Sequence, residues 1–107
     1  MQSNWIKVAP LESLPSDDVT AAKIGDLELA VCRVGEEVYA THIFCTHGHA
    51  RLSDGFLEGH EIECPLHQGR FDVRTGRATC EPLTEDVRTY PIKVVDGDVF
   101  VEVPEIG

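Results

Sequence analysis

The sequence predicts an all-β fold: an antiparallel β-sandwich base, interrupted at about residues 42–83 by a smaller, loop-rich insertion. Three observations carry this. Strand-type runs joined by short Gly- and Asp-containing turns fill both ends of the chain. The final run alternates with a period of two, as a half-buried strand does. No stretch has helical periodicity beyond one turn at Pro10 to Leu14.

Taken in order, Val19–Ile24 and Leu27–Val34 flank Gly25-Asp26, which reads as a tight hairpin. Gly35-Glu36-Glu37 forms a second turn leading into Val38–Thr41. Residues 42–83 change character and become rich in Gly, His, Cys and turn residues, with short strand candidates at Glu61–Glu63 and Phe71–Val73. Val87–Val95 and Val99–Val103 then flank Asp96-Gly97-Asp98, a further hairpin. Pro91 has no N–H for a ladder, so it belongs at an edge or a bulge. The insertion has little apolar material of its own, which makes a metal centre the expected source of its cohesion.

A chain of 107 residues forms one domain, with no room for a deep substrate cavity beside the core. No nucleophile–base arrangement stands out, so catalysis by the chain alone is not expected. Nine bases against nineteen acids give a net charge of −10. Phosphate binding needs a basic face, so nucleic acid is excluded as a partner. The acidity suits a basic protein partner or plain solubility. It is also uneven: His42 to Cys80 holds four arginines against five acids, while the rest holds five bases against fourteen acids. The first residues show no basic segment followed by an apolar run. The longest apolar run is the four residues Leu29–Cys32, too short to cross a bilayer. The expectation is a soluble, cytoplasmic, monomeric protein with no membrane association.

The chemistry lies in Cys45-Thr46-His47 and Cys64-Pro65-Leu66-His67, two short loops separated by sixteen residues. Each supplies one thiolate and one imidazole. A single zinc ion accepts two Cys and two His in any order. A two-iron cluster asks for more, two thiolates on one iron and two imidazoles on the other. Loops approaching from opposite sides, each giving one of each, meet that demand. In the second case the thiolates hold the iron that stays ferric, and the neutral imidazoles hold the one that takes the electron.

The flanking residues narrow the choice. Cys45-Thr46-His47-Gly48, Leu52-Ser53-Asp54-Gly55, Leu57-Glu58-Gly59, the run from Glu61 to Asp72, Thr75-Gly76 and Ala78 closely resemble Rieske ferredoxins. The likeness is to the ferredoxin components of ring-hydroxylating dioxygenases of the naphthalene and nitroarene class. It extends from Trp5 to the C-terminal Val-rich hairpin and is densest from Cys45 to Pro82. The resemblance implies a Rieske fold carrying one [2Fe–2S] cluster on Cys45, His47, Cys64 and His67. It implies a one-electron carrier, supplied by a flavin-containing NAD(P)H-dependent ferredoxin reductase and drained by the Rieske centre of a terminal oxygenase. In this family a proline-containing third loop covers the cluster, and Pro82 is the matching position. High-potential Rieske proteins add a disulfide between the cluster loops and place Ser and Tyr hydroxyls near the cluster sulfurs. Here no such cysteines occur, and Gly69 and Phe71 stand at the hydroxyl positions, which implies a low potential.

Two other functions share these features. The small Rieske-like subunit of an assimilatory nitrite reductase has the same fold and size; genomic neighbours separate it from a dioxygenase component. A structural zinc module uses the same four donors, and visible absorption with EPR separates it from a cluster. Outside the motif, His49 reads as a solvent-facing loop residue and His42 and His60 as surface or structural. Cys32 and Cys80 read as buried thiols, not a disulfide, and Trp5 and Tyr90 as packing residues. The docking tip is expected at His47, His67, Leu66, His49 and Pro82.

Overall fold

The structure is a computed structural model that describes residues 3–46, 50–65, 69–79 and 85–104. Among the described residues ten strands follow in order: β1 Ser3–Pro10, β2 Asp18–Ile24, β3 Leu27–Val34, β4 Glu37–His42, β5 Phe56–Glu58, β6 Glu61–Glu63, β7 Arg70–Asp72, β8 Thr89–Tyr90, β9 Ile92–Val95 and β10 Asp98–Pro104. Single 3-10 turns occur at Leu11–Ser13 and Leu52–Asp54. The first coincides with the one helical turn expected from the sequence. There is no α-helix among the described residues.

The strands form three antiparallel sheets, ordered β1-β10-β9, β2-β3-β4-β8 and β5-β6-β7. The β2–β3 hairpin turns at Gly25-Asp26, and its register pairs Ile24 with Leu27 and Val19 with Cys32. Glu37 pairs with Val34 inside the β3–β4 ladder, so that turn is Gly35-Glu36 and one residue tighter than expected. In β10, Val99, Val101 and Val103 are buried while Phe100 and Glu102 are half-buried, as the period of two requires.

The four-residue apolar run has a structural reason. Leu29 and Val31 of β3 face the first sheet, in clusters with Val101 and Val103 and with Val99. Ala30 and Cys32 face the opposite way, into a cluster with Ile62, Phe71 and Cys64. Strand β3 is thus covered on both faces, and alternation gives way to a continuous apolar stretch. The second sheet is a middle layer with the first sheet on one side and the insertion on the other. Pro91 lies at an edge, as expected, between β8, the edge strand of the second sheet, and β9, the edge strand of the first. Tyr90 before it pairs with Ala40 in the second sheet, and Ile92 after it pairs with Val101 in the first. The expected long strand Val87–Val95 is therefore two short ones, with Pro91 at the point where the chain changes sheets.

Two further expectations change. Strands β1 and β5 were not anticipated from the sequence. The insertion also has a real apolar core: Ile43, Leu52, Ile62 and Phe71 are wholly buried and Val73 nearly so. Burial of these side chains contributes about 1.5–3 kcal/mol each relative to exposure, so a metal centre is not what alone holds this part together.

Candidate metal centre

Cys45 and Cys64 sit at matching places. The N–H of Cys45 donates to the carbonyl of Ala50 at 2.9 Å, and that of Cys64 donates to the carbonyl of Gly69 at 2.7 Å. Each bond closes a loop of the same length. Each loop is flanked by a pair of facing residues, the isolated bridge Phe44–Arg51 for the first and the β6–β7 pair Glu63–Arg70 for the second. The sequence thus holds C-x5-R twice, Cys45 to Arg51 and Cys64 to Arg70. That spacing was available as a signal and was missed, because the two histidines fall at different distances from their cysteines.

The arginines tie the loop ends down. Arg51 donates from Nη1 to both carboxylate oxygens of Glu28 on β3, at 3.1 and 3.3 Å. Arg70 meets Glu63 at 3.0 Å and Glu58 and Glu61 at 3.4 Å. A built Cβ on Gly55 would fall 2.0 Å from the carbonyl oxygen of Glu63, so only glycine lets this backbone press against the strand that delivers Cys64.

Both thiols are buried, Cys45 at 4% and Cys64 at 1% exposure, and both belong to one packed cluster. Two buried thiols at the bases of two equal loops are a suitable donor set for one edge of a binuclear site. His47 and His67, the imidazole partners expected from the sequence, lie outside the described residues, as do His49, Leu66, Cys80 and Pro82.

The remaining candidates have structural roles. His60 places Nε2 3.3 Å from Glu37 and its ring edge-on to Tyr39 at 5.8 Å. Tyr39 also donates to Glu37 at 2.6 Å. These two hydrogen bonds, Tyr39 first, hold the Glu37 carboxyl below its usual range. His42 is half-buried with its ring 5.8 Å from Phe44. Cys32 is a buried thiol pushed up to about 12, by burial first and then by Asp18, which makes it inert. Trp5 packs under Lys93, whose Nζ is 4.1 Å from the ring centre, and Tyr90 is buried beneath Arg88.

An all-β scaffold presenting two matched loops with buried thiols defines a small protein with donors suited to a metal centre. Residues 4–91 match the family described as the Rieske [2Fe-2S] domain. The ferredoxin component of the naphthalene 1,2-dioxygenase/salicylate 5-hydroxylase systems of Ralstonia sp. is 55% identical over 102 residues, covering 95% of this chain and 98% of that one. The ferredoxin of carbazole 1,9a-dioxygenase from Nocardioides aromaticivorans IC177 superposes with a TM-score of 0.88 at 40% identity, over 91% of this chain and 95% of that one. A complex of reduced oxygenase and oxidized ferredoxin in carbazole 1,9a-dioxygenase gives 0.85 at 40% identity, over 91% of each chain. The chain belongs to the Rieske [2Fe–2S] family and is a ferredoxin of the kind found in ring-hydroxylating dioxygenase systems. Its cofactor is one Rieske-type [2Fe–2S] cluster, which removes the zinc alternative, and it is an electron-transfer component and not itself an enzyme. A putative nitrite reductase small subunit from Mycobacterium tuberculosis shares the fold alone, at 18% identity and a TM-score of 0.86, over 99% of this chain and 100% of that one. No helix among the described residues is long and apolar enough to cross a membrane.

Proposed function

We propose that Cys45, His47, Cys64 and His67 hold the cluster, and that the chain carries single electrons from a flavin-containing NAD(P)H-dependent reductase to the Rieske centre of a terminal aromatic-ring oxygenase. The observation that supports this most is the pair of equal loops, each closed by its cysteine N–H onto a carbonyl five residues on. When bound, the cluster supplies a change of iron valence and nothing more. The protein's part is to hold the donors still: each loop end is fixed by an arginine, and each thiol is packed in the shared core. Low motion at the donors keeps the reorganisation small as the electron arrives.

In this reading residues 42–83 are the cluster-binding part of a single domain, and the protein is a cytoplasmic monomer. Its encounters are transient, because one loop tip serves donor and acceptor in turn. The tip comprises His47, Leu66, His67, His49 and Pro82. The ferredoxin identity of the 40%-identical partner in the oxygenase complex supports the oxygenase as acceptor. The test is replacement of each of the four residues by Ala, followed by EPR of the reduced protein. Each variant is expected to lose the Rieske signal while far-UV circular dichroism keeps its β signature, because the core of the insertion does not depend on the metal alone. A variant that keeps the signal removes its residue from the ligand set. Electron delivery is tested by adding the purified chain to reductase and oxygenase from a naphthalene-type system. Failure of the oxygenase to turn over with a fully reduced, cluster-loaded chain refutes the assignment of its acceptor.

A further inference from the structure

The two cysteine loops are closed alike but are anchored to different parts of the molecule. The carboxylates that meet Arg70 lie in the insertion's own sheet, Glu58 on β5 and Glu61 and Glu63 on β6. Glu28, which meets Arg51, lies outside the insertion, on β3 and twenty-three residues away in sequence. Glu28 grips both ends of the first loop. Its carbonyl accepts from the N–H of Ile43, two residues before Cys45, at 3.2 Å. Its carboxylate accepts from Nη1 of Arg51, the residue after Ala50, at 3.1 and 3.3 Å. The N–H of Leu52 donates to the carbonyl of Ile43 at 2.6 Å and closes the neck of the loop. The Arg51 guanidinium also lies over the Phe44 ring, 5.8 Å from its centre. Cys45 thus follows a bridge, Phe44 to Arg51, that one side chain of β3 fixes. The pair is only partly exposed, 38% for Arg51 and 29% for Glu28, so solvent screens it less than a free surface pair.

We infer that Glu28 is a positioning residue for electron transfer: from β3 it fixes the first cysteine loop through Arg51, and its charge, balanced against that of Arg51, sets the potential at which the electron is taken up. This rests on the proposed ligand set of Cys45, His47, Cys64 and His67. Two separable effects follow. The first is mechanical. The second loop is fixed within the insertion and the first to β3, so the Glu28–Arg51 pair holds the two thiol-bearing loops in register with each other. Loss of a partly exposed pair of this kind frees the loop about fivefold more often. The second effect is electrostatic. Two ferric ions, two sulfides and two thiolates sum to zero, and the electron adds one negative charge. A positive charge left unbalanced at the loop end favours the reduced form, and a negative one opposes it. Lys23, opposite Glu28 in the β2–β3 ladder, adds to the first case.

The experiment compares cluster-loaded wild type, Glu28→Gln, Arg51→Gln, the double variant of the two, and Arg51→Lys. Two quantities are measured: the midpoint potential at low salt, and the rate of cluster loss to an iron chelator followed by visible absorption. Glu28→Gln is expected above the wild-type potential and Arg51→Gln below it. The double variant and Arg51→Lys, which keep the local charge balance, are expected to match the wild-type potential. All three Gln variants are expected to lose the cluster about fivefold faster. Shifts of opposite sign separate this role from a merely structural one, because a loosened loop moves the potential the same way whichever partner is removed. Shifts of the same sign or unchanged potentials overturn the inference, and so do wild-type loss rates in all three Gln variants. If Arg51→Gln assembles no cluster, Glu28→Gln is set against Arg51→Lys: a higher potential in Glu28→Gln alone supports the inference, and equal potentials overturn it. Cys45→Ala is run alongside. A retained Rieske EPR signal there refutes the ligand assignment itself, a failure distinct from that of the Glu28–Arg51 pair.

Discussion

Gly76 and Gly97 form a natural pair for measuring what a close backbone approach is worth. Their φ values are nearly equal, +80° and +82°, so a side chain at either position suffers the same left-handed strain. Their surroundings differ. A Cβ on Gly97 would meet nothing within 4 Å. A Cβ on Gly76 would lie 2.0 Å from the carbonyl oxygen of Val87 and 2.9 Å from Cγ2 of Thr89. Strain of this kind costs about 1–2 kcal/mol, and that is the whole expectation for Gly97→Ala. In Gly76→Ala the Val87 backbone must also withdraw. That breaks the 2.8 Å bond from the Val87 N–H to the Gly76 carbonyl, about 1 kcal/mol, and unseats the buried Val87 side chain, about 1–2 kcal/mol more.

Gly76→Ala is therefore expected to destabilise by about 3–5 kcal/mol and Gly97→Ala by about 1–2 kcal/mol. A difference of about 2–3 kcal/mol corresponds to roughly 8–24 °C in melting temperature for a chain of this size. The assay is thermal unfolding of the cluster-loaded proteins by circular dichroism, with visible absorption recorded in parallel so that cluster loss and unfolding are separated. Equal melting temperatures for the two variants refute the close contact between Gly76 and Val87.

Three further outcomes are expected. The midpoint potential lies near −150 mV, the low end of the Rieske range; Phe71→Tyr, which adds a hydroxyl at a wholly buried site, raises it by about 40 mV if a new hydrogen bond favours the reduced cluster by about 1 kcal/mol, and a dye-mediated redox titration showing no rise places the hydroxyl away from the sulfurs. Glu37 and Asp72 are both held below their ordinary carboxylate values, by the Tyr39 hydrogen bond and by the Arg74 hydrogen bond respectively, so their stabilisation is complete above those ordinary values of 4.5 and 3.8 and is lost as pH falls through the depressed ones; melts between pH 3 and 7 should show this loss, and less of it in Glu37→Gln. Leu66→Asp impairs electron transfer at every salt concentration with an unchanged cluster spectrum, whereas Glu36→Gln, at a highly exposed acid, slows association at low salt only; stopped-flow transfer with normal rates for Leu66→Asp removes the loop tip as the contact surface.

Elements with a local signature were legible in the sequence. The β2–β3 hairpin and the β10 alternation need only a turn pair and a period of two. Strand β1 left a weaker trace, because it pairs only with β10 and carries Trp5 and Lys7 on an exposed face. Strand β5 is three residues long, below what periodicity can register. The core of the insertion was hidden for a different reason. Ile43, Leu52, Ile62 and Phe71 come about ten residues apart, Ile43 from the bend after β4 and the others each from a different short element, so no window of sequence contains a run. They meet only because the chain folds back at each turn. Residue type and spacing singled out Cys45 and Cys64, and the structure buries both thiols in one core cluster. The hydrogen bond from Thr46 to Glu85 was not legible, since nothing local in the sequence relates residues thirty-nine apart.

The charge count takes on a sharper meaning in three dimensions. The insertion is nearly balanced, and three of its four arginines are paired: Arg51 with Glu28, Arg70 with Glu63 and its neighbours, and Arg74 with Asp72 at 2.9 Å. Exposed pairs of this kind add little to stability, about 0–1 kcal/mol each. Their electrostatic effect is larger than their energetic one for Arg51 and Arg70, each of which offsets a carboxylate at the end of a cysteine loop, whereas Arg74 and Asp72 pair beside Glu37 and His60. Two consequences follow from the same arrangement. Reduction meets less repulsion from nearby carboxylates, and a partner that covers the loops has fewer unpaired charges to desolvate. The remaining acids lie mainly outside the insertion, where fourteen acids face five bases.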